Sequence, residues 1–366
     1  MSSNYPQEGE TAPYPHHPTP SYQYVICPNP KGYHKISYLE WGPNDANKVV
    51  FCVHGLTGDA TNFEYLASYL ADKHGIRTVS VDVLGRGNSD RLEDTSLYCL
   101  QQYANDVMVV FARVSADGNH FLADDDLRTG PQATPSPKQQ KEYYYLGNSM
   151  GGMIGMHIAC DKASPFKAVI LNDIGPAIPI ASIARIATYV KASDKEFFPS
   201  LTEAAAYTLK IYGSFFGPYV DHDYFFRRCT YACRRRNATD TVPADNAAEA
   251  KENDVDGYVL NYHRLGTVAG LLNSSSADKQ WTAEEICDPS STEFLSFWNK
   301  FEKITKPLLV YQGENSDLLT PAILDQMEKR YIGPKMSVVR FEKTGHLPPL
   351  YVEREFLPIV KFIMEN

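Results

Sequence analysis

Short, unbroken apolar runs alternating with helix-length amphipathic segments are the feature that most narrows what this chain can fold into. Val49–Val53 is one such run, and its lack of in–out alternation marks a strand buried on both faces. Arg77–Val81, Tyr143–Leu146, Lys167–Leu171, Leu308–Gln312 and Ser337–Phe341 read as further strands. Between and after them, helical spacing is read over Asn62–His74, Leu97–Val114, Ser149 to about Lys162, Pro321–Tyr331 and Val352–Met364. Tyr22–Cys27 and Tyr33–Trp41 add two strands around the turn residues Pro28 to Gly32. Strands separated by helices of this length predict an α/β fold: a mostly parallel sheet with helices on both faces.

Three stretches break the rhythm. Residues 1–21 are rich in Pro, Tyr and His without a hydrophobic period, and are expected to be a disordered tail. Residues 115–141 are polar and carry Asp124-Asp125-Asp126, the pattern of a surface insertion. Residues 177–300 separate two core strands yet hold amphipathic helices of their own, too much sequence for a loop. The expected organisation is therefore a core of 22–176 and 301–366, interrupted by a mainly helical cap at 177–300.

Charge and composition exclude several classes. The 366 residues carry 35 Lys and Arg against 44 Asp and Glu, a net charge of −9 that argues against a nucleic-acid partner. No uncharged apolar stretch reaches membrane-spanning length, and the N-terminal residues lack the basic-then-apolar pattern of a signal peptide. The seven cysteines are scattered, Cys52 and Cys160 lie in apolar segments, and a cytoplasmic location is expected. The sequons at Asn237 and Asn273 are then chance matches.

The chemistry is concentrated in Gly147-Asn148-Ser149-Met150-Gly151, directly after one buried strand and directly before a helix. This is G-x-S-x-G in the strand–turn–helix setting where a strained turn exposes a serine nucleophile and the flanking glycines leave room for it. A serine hydroxyl needs a base, and the base needs an orienting acid. His346, in Thr344-Gly345-His346 after the last core strand, reaches the carboxyl edge of the sheet and is the expected base. His157 reads as a packed helix residue, His54 as a loop hydrogen-bonder, and His222 and His263 as structural residues of the insertion.

Two carboxylates compete for the orienting role. Asp317, on the loop after Leu308–Gln312, gives the chain order Ser149…Asp317…His346 and is the preferred acid, with helix capping as its competing role. Asp173, at the end of Lys167–Leu171, also satisfies the order and is the alternative. For the oxyanion, backbone N–H donors are expected from Met150, next to the nucleophile, and from Leu56 in His54-Gly55-Leu56-Thr57-Gly58, with Thr57 as the fallback. No metal ligand set or cofactor motif is read, and Cys229 with Cys233 is weak evidence for zinc.

These residues, together with Asp82-Val83-Leu84-Gly85-Arg86-Gly87-Asn88-Ser89-Asp90, resemble an α/β-hydrolase from about residue 22 to 366, apart from the polar insertion. The chain is most similar to the lid-bearing branch that includes esterases, ring-cleavage-product hydrolases and prolyl-iminopeptidase-like serine peptidases. The resemblance implies an eight-stranded sheet, a lid inserted after the sixth strand where residues 177–300 fall, and a chiefly structural Gly85-Arg86-Gly87. Serine at position 149 departs from the aspartate of haloalkane dehalogenases and epoxide hydrolases, and the His-Gly-Gly-Gly loop of another esterase branch is missing.

The expected function is hydrolysis of a carboxylic ester of a small, apolar or aromatic substrate through an acyl-enzyme, without cofactor. Release of N-terminal proline, C–C bond hydrolysis and a non-catalytic small-molecule receptor are the alternatives. A peptidase needs an acid for a free α-amine, for which Glu203, Asp221 and Asp223 are available. Thirteen Phe and Tyr between Phe197 and Tyr262 either line the pocket or form the insertion's own core. The Arg227–Arg236 run reads as a solvated face.

Overall fold

The computed structural model describes residues 19–116, 141–191, 197–212, 229, 233–235, 257–263, 266–267, 270, 282, 285, 288–346, 348 and 350–366. The segments expected to be a tail and a polar insertion fall almost wholly outside the described residues, as does His222.

The regular elements follow the expected alternation. In chain order they are β1 (Ser21–Asn29), β2 (Gly32–Trp41), β3 (Lys48–Val53), α1 (Glu64–His74), β4 (Arg77–Val81), α2 (Leu100–Ala116) and β5 (Glu142–Asn148). Then come α3 (Met150–Ala159), β6 (Phe166–Asn172), α4 (Ile180–Lys191), α5 (Leu201–Tyr212), β7 (Leu308–Gly313), α6 (Pro321–Arg330), β8 (Met336–Phe341) and α7 (Glu353–Glu365). The strands form one eight-stranded sheet in the order β1-β2-β4-β3-β5-β6-β7-β8. From β4 to β8 all neighbours run parallel, whereas β2 pairs antiparallel with both β1 and β4.

Strand β3 shows why the apolar runs carry no alternation. Val49, Phe51 and Val53 join the core on one face of the sheet, while Val50 and Cys52 join the core on the other. The first face is covered by α2 and α3, the second by α1 and α7. Each side chain on a central strand is therefore removed from water, at roughly 1.5–3 kcal/mol for each large aliphatic residue. Helix α3 approaches the sheet closely because it is glycine-rich: a Cβ on Gly155 would lie 2.3 Å from the Tyr145 ring.

The chain between β6 and β7 contains α4, α5 and short strand pairs. Ala177–Pro179 pairs with Phe294–Ser296, so the insertion leaves and rejoins the sheet through one two-stranded ribbon. Among the described residues, no helix is long and apolar enough to cross a membrane.

Candidate active site

Four loops at the carboxyl ends of parallel strands converge, the position where a parallel sheet opens a crevice. They follow β3 (His54 to Gly58), β5 (Ser149), β6 (Asp173) and β8 (Thr344 to His346).

Ser149 sits at φ 50°, ψ −115°, a backbone conformation that L-residues rarely adopt, costing on the order of 1–3 kcal/mol. The flanking glycines permit it. A Cβ on Gly147 would meet Gly151 C at 2.3 Å, and one on Gly151 would meet Val53 O at 2.0 Å. The turn is tied to the neighbouring strand by Ser149 N–H donating to Asn172 O at 3.1 Å. Although Ser149 occupies the N-cap position of α3, its side chain makes no capping bond. Its Oγ lies instead 2.9 Å from His346 Nε2.

The other imidazole nitrogen meets a carboxylate. His346 Nδ1 is 2.7 Å from Asp173 Oδ2, and both side chains are buried. Asp317, the carboxylate preferred from the sequence, does not take this place. Its side chain is 47% exposed and forms a two-pronged pair with Arg185 of α4, Nε to Oδ2 at 3.0 Å and Nη2 to Oδ1 at 2.9 Å. Asp173 stands one residue past β6 with φ 54°, and from there its carboxylate reaches His346, whereas that of Asp317 is held by Arg185.

The loop that carries Asp317 contributes to the site in another way. Gly313 N–H donates to Asp173 Oδ1 at 2.7 Å, and Ser316 Oγ donates to Asp173 Oδ2 at 2.6 Å. With the imidazole, the fully buried carboxylate thus has three donors, which offsets the cost of removing an ion from water. Ser316 and Gly313 were not singled out in the sequence. Their only signal there is that they share the loop of the competing aspartate.

The loop after β3 lies against Ser149: a Cβ on Gly55 would be 3.4 Å from Ser149 Cβ. His54 is the loop hydrogen-bonder expected, accepting from Val83 N–H at Nε2 (3.0 Å) and directing Nδ1 to Gly55 O (2.7 Å). Gly55 O also accepts from Gly58 N–H. Both bonds hold the peptide plane that carries the Leu56 N–H. Met150 N–H, at the first turn of α3, has no partner within the helix, as helix geometry requires.

A cavity of about 40 Å³ opens on Ser149. Leu56, Met150, Met153, Ile174 and Leu318 line it, together with Ile178, Ile183, Ile186, Gly270 and Leu295 of the insertion. Its described lining is thus aliphatic and thioether, not aromatic. The described aromatic residues of the insertion pack elsewhere: Phe198, Tyr207 and Tyr258 with Leu201 and Ala204 in a small cluster, and Tyr262 in the main core. Phe197 packs beside Gly257, Phe297 and Trp298 join the main core and Phe294 is exposed.

The other candidates are placed as follows. His157 bonds Gln101, and His263 stacks on Tyr98 with burial, then Arg91 and Arg86, lowering its pKa to about 4. Glu203 is exposed and bonds Ser200, while Asp221, Asp223 and the Arg227–Arg236 side chains lie outside the described residues. Cys52 is buried and Cys160 half-buried, both free thiols.

Cys27, His34 and Asp106 bring donor atoms within 4.8 Å of one another, the described group with metal-ligand character. It lies beneath the β1–β2 hairpin, remote in the chain from Ser149, and is closed by its own hydrogen bonds. Asp106 accepts from Gln102 at 2.7 Å and lies 3.1 Å from His34 Nε2, while burial, then Asp106, pushes the Cys27 thiol far above its ordinary range.

A serine, an imidazole and a buried carboxylate in one relay at the carboxyl edge of this sheet define a hydrolase fold, and the chain belongs to the alpha/beta hydrolase fold family, which it matches over residues 48–351. Over 330 residues it is 28% identical to the 3-hydroxybutyrate-oligomer hydrolase of Cupriavidus necator, covering 90% of this chain and 93% of that protein. Its fold is similar to that of an alpha/beta hydrolase from Novosphingobium aromaticivorans, with a TM-score of 0.66, 21% identity and coverage of 95% and 99% of the two chains. It is also similar to that of an esterase of Mycobacterium tuberculosis, with a TM-score of 0.60, 18% identity and coverage of 96% and 93%. The protein is a hydrolase.

Proposed function

We propose that the protein hydrolyses carboxylic esters through an acyl-enzyme on Ser149. The observation that carries this reading is the continuous relay from Ser149 Oγ to His346 Nε2 at 2.9 Å and from His346 Nδ1 to Asp173 Oδ2 at 2.7 Å.

In this reading Ser149 Oγ attacks the ester carbonyl carbon while His346 Nε2 takes its proton. Asp173 fixes the tautomer with Nδ1–H and stabilises the imidazolium. The tetrahedral oxyanion is met by the N–H groups of Met150 and Leu56, with the positive end of α3 directed at it. His346 then delivers the proton to the leaving alcohol oxygen as the C–O bond breaks. A water molecule, deprotonated by the same nitrogen, attacks the acyl-enzyme and releases the acid, and the proton returns to Ser149.

The cavity supports a short aliphatic acyl group. Its small volume and aliphatic lining among the described residues suit a short chain such as butyryl. The similarity to a hydrolase of 3-hydroxybutyrate oligomers along nearly both whole chains supports a short hydroxyacyl oligoester as the natural substrate class.

The test is covalent labelling with a fluorophosphonate and mapping of the modified peptide, together with ester hydrolysis by Ser149→Ala. Labelling at Ser149 and loss of hydrolysis in the variant are expected. Activity surviving in Ser149→Ala would remove Ser149 as nucleophile, and a folded protein that neither labels nor turns over would be a receptor.

A further inference from the structure

Arg86 is completely buried, and its guanidinium has no carboxylate within 4.0 Å among the described residues. A buried cation without an anion is costly unless its donors are otherwise engaged. Nε donates to Leu56 O at 3.0 Å, and Nη1 donates to Leu84 O at 2.7 Å and to Tyr103 Oη at 3.1 Å. Nη2 lies 3.9 Å from Met150 Sδ. The guanidinium also stands over the Tyr103 ring, 5.4 Å from its centroid. One side chain thus touches both residues whose N–H groups the ester-hydrolase reading assigns to the oxyanion, Leu56 and Met150.

The turn that aims Arg86 inward is tightly built. Gly85 and Gly87 have φ of 81° and 53°, and a Cβ on Gly87 would lie 2.1 Å from Asp82 Oδ1. The peptide before Leu56 is held by His54 and Gly58 at the Gly55 carbonyl, and Arg86 holds the peptide after it through the Leu56 carbonyl. Leu56 is therefore fixed on both sides, and the only charged group in this bracing is the cation.

We propose that Arg86 is a positioning residue for catalysis, bracing the Leu56 peptide and the Met150 side chain so that both N–H donors meet the developing oxyanion, with its buried positive charge behind them. The proposal rests on the ester-hydrolase reading above and goes beyond the chiefly structural role that the family resemblance implies for this turn. Loss of an interaction that strengthens only in the transition state lowers kcat while leaving substrate binding nearly unchanged. Lysine keeps the charge but lacks the planar fork that reaches a carbonyl and a sulfur together.

The experiment compares wild type with Arg86→Met and Arg86→Lys on p-nitrophenyl butyrate, with folding checked by near-ultraviolet circular dichroism. A trifluoromethyl ketone, which forms an anionic hemiketal on an active serine, probes the oxyanion contacts directly. In Arg86→Met, kcat falls on the order of 10–100-fold, less than for complete loss of an oxyanion donor, with KM within about threefold. Ketone affinity falls in step with kcat, the pH midpoint of kcat/KM stays in place, and Arg86→Lys is intermediate. If Arg86→Met does not fold, Arg86→Lys carries the test with the same kcat-against-KM criterion. A folded variant whose kcat is unchanged, or whose loss is confined to KM, overturns the proposal. Fluorophosphonate labelling of wild type separates the two levels: no labelling defeats the ester-hydrolase reading, whereas labelling with unchanged variant kcat defeats only the role of Arg86.

Discussion

Arg185 and Asp317 form a two-pronged ion pair between helix α4 and the loop after β7, with Nε and Nη2 at 3.0 and 2.9 Å from the two carboxylate oxygens. Ser182 Oγ, one turn earlier on α4, donates to Asp317 O at 2.8 Å. Asp317 thus fastens the insertion to the sheet. Because the two side chains are 39% and 47% exposed, the ion pair itself contributes no more than about 1 kcal/mol. Arg185→Gln is expected to lower the urea midpoint slightly, with the difference shrinking at high salt. A large, salt-independent loss would contradict a surface pair.

The nucleophile turn tolerates no side chain at Gly151. Its Cβ would stand 2.0 Å from the Val53 carbonyl oxygen, which belongs to a central strand and cannot yield. Gly151→Ala is expected to eliminate ester hydrolysis or soluble expression. Full activity in purified Gly151→Ala would show that α3 and β3 are farther apart than described.

The layout of strands and helices was legible in the sequence because burial on both faces leaves an unmistakable mark, as in Val49–Val53. So was the placement of Ser149 and His346 on loops at the carboxyl edge of the sheet, where the two side chains meet. In the sequence Asp317 is preferred to Asp173, although both fit the same chain order and nothing in the residues tells which carboxylate reaches His346. A positive φ at a non-glycine residue such as Asp173 leaves no trace in composition or periodicity. The aliphatic lining was also hidden. The aromatic surplus of the insertion fitted either a pocket lining or a core of its own, and the described part of it builds local cores, while the cavity beside Ser149 takes side chains from α4 and its flanking ribbon.

Chain-length preference follows from the small cavity. Among p-nitrophenyl esters, butyrate is expected to exceed octanoate in kcat/KM by about 10-fold or more, because the cavity that the described residues form beside Ser149 is small. Ile186→Ala, which shortens a lining residue, is expected to shift the optimum toward longer acyl groups. An optimum at octanoate in the wild-type protein would contradict the assignment of this cavity to the acyl group.

Glu355, fully buried at the start of α7, accepts from Tyr351 N–H at 2.8 Å. Burial raises its pKa from 4.5 to about 7. Between those values the folded protein holds a proton that the unfolded chain has released, so this group's contribution makes stability fall as pH rises through that window. Glu355→Gln keeps a carbonyl acceptor for the backbone and removes the titration. Its stability relative to wild type is expected to improve from about pH 5 to about pH 8 in urea unfolding. A constant difference across that range would show that Glu355 is not held protonated.

The most direct measurement of the whole account is kcat/KM for Asp173→Asn beside Asp317→Asn on a short-chain ester. Asp173→Asn removes the charge behind His346 Nδ1 and presents a competing donor, so activity is expected to fall by about 10³–10⁴-fold with the fold intact. Asp317→Asn, which alters only the contact with Arg185, is expected to stay within about threefold of wild type. The reverse pattern, with Asp317→Asn inactive and Asp173→Asn near wild type, would contradict the relay described here.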